Sequence, residues 1–212
     1  MSDGEFCQAL PLAEWQIEDP EDRHMVLERD FFFIDGNGKR WPAPIGYATD
    51  GASIPRALWT VVGAPFTGRY RRAAIVHDVA CDTAGPDPAA RRAADRMFFH
   101  ACRAGGCGLG QAIVLYLGVR VGSIWAAVPQ WSALTLSEHA GPRFTRTATE
   151  RKLEDDFSRI GEHVMAGGAT DDIDEIERRA DQAIQVVTGI DARAAYERAA
   201  RVRVTDKTTG VP

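Results

Sequence analysis

Three short segments carry residue types that can do chemistry. The first is His77-Asp78, inside the apolar stretch Arg71-Arg72-Ala73-Ala74-Ile75-Val76-His77-Asp78-Val79-Ala80-Cys81. The second is Asp95, in Ala93-Ala94-Asp95-Arg96-Met97-Phe98-Phe99. The third is Thr49-Asp50-Gly51-Ala52-Ser53-Ile54-Pro55, which precedes both. Adjacent residues on a helix point about 100° apart, so His77 and Asp78 cannot form a simple dyad with each other. They serve two tasks or none. His77, with an ordinary pKa near neutrality, suits a general base that activates water. Asp78 suits an oxygen ligand for a hard cation.

A histidine base needs a partner that orients its second nitrogen. Asp95 is the best candidate, because a carboxylate among apolar neighbours is costly unless it is paired. An antiparallel helix pair would bring it to His77. The alternative is an ordinary surface ion pair from Asp95 to Arg92 or Arg96. Asp50 could join Asp78 as a second cation ligand, with Gly51 turning backbone carbonyls toward the ion. A plain Asp-Gly turn is the alternative there. His24, His100, His139 and His163 lie in separate segments without matching acids and read as surface or structural histidines. Ser53 lacks the Gly-x-Ser-x-Gly elbow of a serine hydrolase.

The four cysteines, Cys7, Cys81, Cys102 and Cys107, form no Cys-x-x-Cys pair, which argues against a zinc ribbon. Free thiols in a reducing cytosol are expected, with a Cys81–Cys102 disulfide across the helix pair as the alternative. Over 212 residues, 45% hydrophobic and 26% charged content is that of a globular protein. A net charge of -5 disfavours an electrostatic nucleic-acid binder. The opening Met1-Ser2-Asp3-Gly4-Glu5 is polar and acidic, unlike a signal peptide, so a cytoplasmic product is expected. Residues 109–129 are the most apolar stretch, but Arg120 sits at its centre. A buried core helix is therefore expected there, and a membrane-touching surface is the alternative.

These segments must be positioned by an α+β fold. His24 to Ile34 is rich in β-formers, and Asp35-Gly36-Asn37-Gly38 supplies a hairpin turn. The returning strand, Lys39 to Tyr47, carries Pro42 and Pro44 and reads as an edge or irregular strand. Trp15 and Ile17 open an earlier strand. A helical turn fits Pro55 to Trp59. The first clear helix runs from Thr67-Gly68 to about Asp82, ending at Gly85-Pro86-Asp87-Pro88. Asp87 is a good N-cap and Pro88 a good first residue for the second helix, which runs to about Ala104. Gly105-Gly106 ends it, and a third helix covers about 109 to 126.

Composition changes after Pro142, so the chain divides into a β-hairpin and helical core domain, 1–142, carrying the site, and a charged helical extension, 143–212. In the extension Leu153, Phe157, Ile160 and Val164 repeat at helical spacing. After Gly167-Gly168, Thr170 or Asp171 caps a helix with the stripe Ile173, Ile176, Ala180, Ala183, Ile184 and Val187. A last short helix is expected over Ala192 to Val202. Residues 148–203 could pack on the main domain, or hold a protein partner or a second copy of the chain. Asp171, Asp172, Asp174 and Glu175 read as a helix N-terminal charge cluster rather than a metal site.

The Thr-Asp-Gly-Ala-Ser-Ile-Pro loop, the His-Asp helix and the Ala-Asp-Arg-Met-Phe segment occur in that order. Together they resemble an uncharacterised family of bacteria and phages, DUF1353-like, over about residues 15 to 126. A more distant likeness is to the bacterial phospholipases A2. That resemblance implies Asp50 and Asp78 as calcium ligands with backbone carbonyls near Gly51, His77 as the base, and Asp95 as its orienter. This chain departs from it at Ala52, Ala73, Ala74 and Cys81, which removes the disulfide framework. The favoured function is hydrolysis of an ester by His77-activated water, with calcium and a phospholipid-like or envelope substrate. The rival is a non-catalytic phage or injection-machine component in which His77, Asp78 and Asp95 form a buried polar network. A His77 in an open cleft fits the first reading, and a His77 sealed from solvent fits the second.

Overall fold

The computed structural model describes residues 3–7, 11–15, 25–49, 54–63, 68–132 and 147–199. Among the described residues six short strands come first: β1 (Glu5–Phe6), β2 (Ala13–Trp15), β3 (Met25–Leu27), β4 (Phe31–Ile34), β5 (Arg40–Ala43) and β6 (Ala48–Thr49). Seven described helices follow: α1 (Trp59–Val62), α2 (Arg71–Ala84), α3 (Pro88–Ala104), α4 (Leu109–Ile124), α5 (Pro129–Ser132), α6 (Ala148–Ala166) and α7 (Ile173–Thr188). A further helical stretch covers 192–199. The α+β class read from the sequence holds.

The strands form two antiparallel three-stranded sheets, ordered β1-β4-β5 and β2-β3-β6. The expected hairpin is β4–β5, with Phe33 opposite Trp41 and Phe31 opposite Ala43. These four side chains are buried, and the alternate residues Arg40 and Pro42 face out. Asp35 anchors the turn. Its carboxylate accepts from the backbone of Asn37 and Lys39 and from the Trp41 indole. Pro42, which has no N–H for a ladder, lies on the edge strand β5, where that lack costs least. The β-rich run before the turn is not one strand: a bend at Glu28–Arg29 divides it into β3 and β4, which join different sheets.

Helices α2 and α3 pack antiparallel and carry the candidate residues. A 3-10 turn, Gly68–Tyr70, leads into α2, and α2 rests on β4 and β5. Asp87 caps α3 as expected, its carboxylate accepting from Ala89 N and Ala90 N at 2.8 and 3.2 Å. Pro88 fills the first helical position, where a missing N–H costs nothing. Helix α4 packs on α3 and is buried along its length from Leu115 to Ile124. No described helix is long and apolar enough to cross a membrane. The apolar 109–129 run thus supplies a core helix, and Arg120 inside it is fully buried.

The stripes on α6 and α7 face the chain's own core. Leu153, Phe157, Ile160, Val164, Ile176, Ala180 and Ile184 are all buried. The α7 cap is Asp172, whose side chain accepts from Asp174 N, rather than Thr170 or Asp171. Thr147 and Glu150 form a reciprocal capping box at the start of α6.

Because Asp87 closes two of the open N–H groups of α3, its loss loosens the helix that presents Asp95. Asp87→Ala is expected to cost about 1 kcal/mol, with both helices retained, in a urea unfolding titration.

Candidate functional site

His77 and Asp95 meet. Position 77 lies on the face of α2 turned to α3, and position 95 lies on the face of α3 turned back. His77 Nε2 is 2.8 Å from Asp95 Oδ1. Both side chains have no exposed surface. The surface-pair alternative is excluded, because Arg92 and Arg96 reach α7 instead: Arg92 to Glu177 and Asp181, Arg96 to Asp174 and Glu177.

Two groups that the site's segments did not announce hold the other carboxylate oxygen. Ser123 Oγ, on α4, donates to Asp95 Oδ2 at 2.9 Å. Tyr196 OH, in the 192–199 helical stretch, donates to the same oxygen at 2.5 Å. Arg120 Nη1 donates to the Tyr196 oxygen at 3.3 Å and to Glu177 at 2.9 Å, and Nη2 pairs with Asp181. A continuous polar chain thus runs His77–Asp95–Tyr196–Arg120–Glu177. Arg120, a charge misplaced in an apolar helix by sequence, is bound on two sides by carboxylates from α7.

Cys81 completes the inner cluster. It lies four residues after His77, so the two share one face of α2. Its sulfur is 3.4 Å from His77 Nε2 and 3.9 Å from Nδ1. The Phe98 ring packs on the imidazole, with centroids 4.9 Å apart. Burial disfavours the imidazolium, but the Cys81 sulfur and the Asp95 carboxylate outweigh it and push the His77 pKa up to about 10. At neutral pH the pair is therefore an imidazolium bound to a carboxylate, with its proton already in place. Burial and the Asp95 carboxylate push the Tyr196 phenol well above its ordinary range, so it stays a donor.

Asp78 is half-buried on the neighbouring face of α2 and engaged in a contact of its own. Asp50 and Gly51 lie outside the described residues, as do Ser53, His24 and His139. Among the described residues the cluster able to hold a metal ion is His77, Cys81 and Asp95, and Asp78 does not belong to it. His100 pairs with Asp3, and His163 with the Arg159 carbonyl. The Cys81–Cys102 disulfide does not form: both are free, and so are Cys7 and Cys107.

Residues 25–119 match the family described as protein of unknown function (DUF1353). That segment is similar to the family and makes up under half of the chain. The matched segment runs from β3 into the first part of α4 and so includes His77, Cys81 and Asp95 but neither Ser123 nor Tyr196. Among curated proteins, the chain is 41% identical over 95 residues to the uncharacterized protein y4jT of Sinorhizobium fredii (strain NBRC 101917 / NGR234). It is 34% identical over 115 residues to the uncharacterized protein y4iH of the same organism. The first match covers 44% of this chain and 27% of the relative, and the second 54% and 45%. The chain thus spans under half the length of each. Neither relative bears a phospholipase name, and the phospholipase likeness is confined to the residue pattern. No solved structure matches the chain.

The network sets its own test. Asp95→Ala strands a buried imidazolium and should cost about 3–5 kcal/mol. Tyr196→Phe removes one donor and should cost about 1–3 kcal/mol. Thermal melts of the two variants check both values, with Asp95→Ala expected to lie lower.

Proposed function

We propose that this chain is a non-catalytic binding or scaffold protein, in which His77 and Asp95 lock the α2–α3 pair. One observation carries this reading: both residues of the dyad have no exposed surface. A base that activates water must reach that water within hydrogen-bond distance, directly or through one other. His77 is instead enclosed by Asp95, Cys81 and Phe98. Asp95 likewise has both oxygens engaged, one by His77 and the other by Ser123 and Tyr196. Buried polar networks of this kind fix one arrangement of a core.

A concave surface lies on the other side of α2. A groove of about 480 Å³ is lined by residues that include Trp15, Met25, Arg69, Arg71, Arg72 and Ile75. Trp15 is half exposed there. Three arginines beside apolar side chains, on a chain of net charge -5, suit a partner that combines a negative group with apolar surface. The outer faces of α6 and α7 are charged, and a partner meeting 148–203 would read those charges, because the apolar stripes beneath are already buried.

Ester hydrolysis is the second reading, favoured by the 2.8 Å His77–Asp95 contact that a base and its orienter require. Phospholipid vesicles and a soluble ester, each with calcium and with chelator, separate the two. The scaffold reading expects background turnover in the wild type, His77→Ala and Asp95→Asn, with both variants less stable. Calcium-dependent turnover in the wild type that His77→Ala abolishes while still folded would overturn it.

A further inference from the structure

We propose that His77, Cys81 and Asp95 form a buried site for a zinc-type divalent ion. Their ligand atoms, an imidazole nitrogen, a thiol sulfur and a carboxylate oxygen, all lie within 4.8 Å of one another. Those are the three donor types that zinc takes from proteins, at about 2.0–2.1, 2.3 and 2.0–2.2 Å respectively. Tetrahedral angles at those lengths hold nitrogen and sulfur about 3.6 Å apart, and nitrogen and oxygen about 3.4 Å apart. Here Nε2 and Sγ are 3.4 Å apart, and Nε2 and Oδ1 are 2.8 Å apart. The cluster therefore holds three donors near ligand spacing, with Sγ, 3.9 Å from Nδ1, toward the ring face rather than on the Nε2 lone-pair axis. An ion draws Oδ1 back from Nε2 by about 0.6 Å and Sγ round toward the Nε2 lone pair.

The backbone prepares these three corners independently of the ion. Spacing of four residues puts His77 and Cys81 on one face of α2, and α3 brings Asp95 against that face. Asp95 Oδ2 is held by Ser123 and Tyr196, which leaves Oδ1 directed at the cluster. Such outer hydrogen bonds orient a ligating carboxylate. A thiolate, a carboxylate and a neutral imidazole around a divalent ion sum to zero, so the closed site acquires no net charge. The Sγ donor selects against calcium and magnesium, which take oxygen ligands.

This inference goes beyond the scaffold reading and fails separately from it. The test uses the full chain, freed of metal with chelator and titrated with Co²⁺, whose tetrahedral thiolate complexes give strong visible bands and a sulfur-to-metal band in the near ultraviolet. One ion per chain with the sulfur band is expected. Cys81→Ser should remove that band, His77→Ala should abolish saturable binding, and Cys7→Ser should change neither. Ser123→Ala should weaken binding about 10–100-fold through the carboxylate it orients. Circular dichroism checks the fold of each variant, and Cys81→Ser, the smallest change, decides should His77→Ala unfold. Absence of saturable binding, or a spectrum unchanged in Cys81→Ser, would overturn the site. In that event the hydrogen-bonded lock still stands. Turnover by the metal-loaded chain would instead support the site and overturn the scaffold reading.

Discussion

The structure depends on one burial: the carboxylate of Asp95, placed in the interior with no access to water. An unpaired ion in that position is not tolerated, so the fold must supply partners on every side. It does so from three other places in the chain. His77 comes from α2, Ser123 from α4 and Tyr196 from the 192–199 helical stretch, while α3 carries the acid itself. Each partner fixes the position of the element that bears it. The carboxylate thereby acts as the point to which three other helical segments are referred.

The same requirement explains how the later helices join the earlier ones. Tyr196 donates to Asp95, and Arg120 reaches both the Tyr196 oxygen and the acids of α7. The arginines of α3 that might have neutralised Asp95 are drawn outward to Asp174, Glu177 and Asp181. Residues beyond the DUF1353 segment thus complete the polar core of the residues within it. Apolar contact reinforces this, since the stripes of α6 and α7 lie in the same buried cluster as Phe98, Phe99 and Tyr116. The polar chain supplies direction, and the apolar burial supplies most of the stabilisation.

Much of this arrangement is legible in local residue chemistry. The Asp35-Gly36-Asn37-Gly38 turn, the Asp87-Pro88 helix start and the Gly85 stop bound the hairpin and the helix pair, because turn and cap chemistry is local. The His77–Asp95 contact follows from a short loop between two amphipathic helices and from an acid with apolar neighbours. Cys81 was also within reach, through its spacing of four from His77. The bend that separates β3 from β4 has no such signal, because which sheet a short strand joins is decided by distant partners. Ser123 and Tyr196 are hidden for the same reason: a serine in an apolar helix and a tyrosine 101 residues from Asp95 become partners only after the helices pack. The Arg120 charge was visible, but its carboxylates on α7 lie 57 and 61 residues away. Exposure of the dyad, which separates a catalytic base from a structural one, is a property of the packed whole.

His77 is a sealed and charged partner of Asp95. The most direct test is the nitrogen-detected NMR titration of the His77 ring in metal-free protein, with solvent exchange of the Nε2 proton followed at each pH. The ring is expected to stay protonated well above the ordinary 6.5, toward about 10, with a proton that exchanges slowly with water. A ring that loses its proton near 6.5, or whose proton exchanges as freely as that of an exposed histidine, would contradict it.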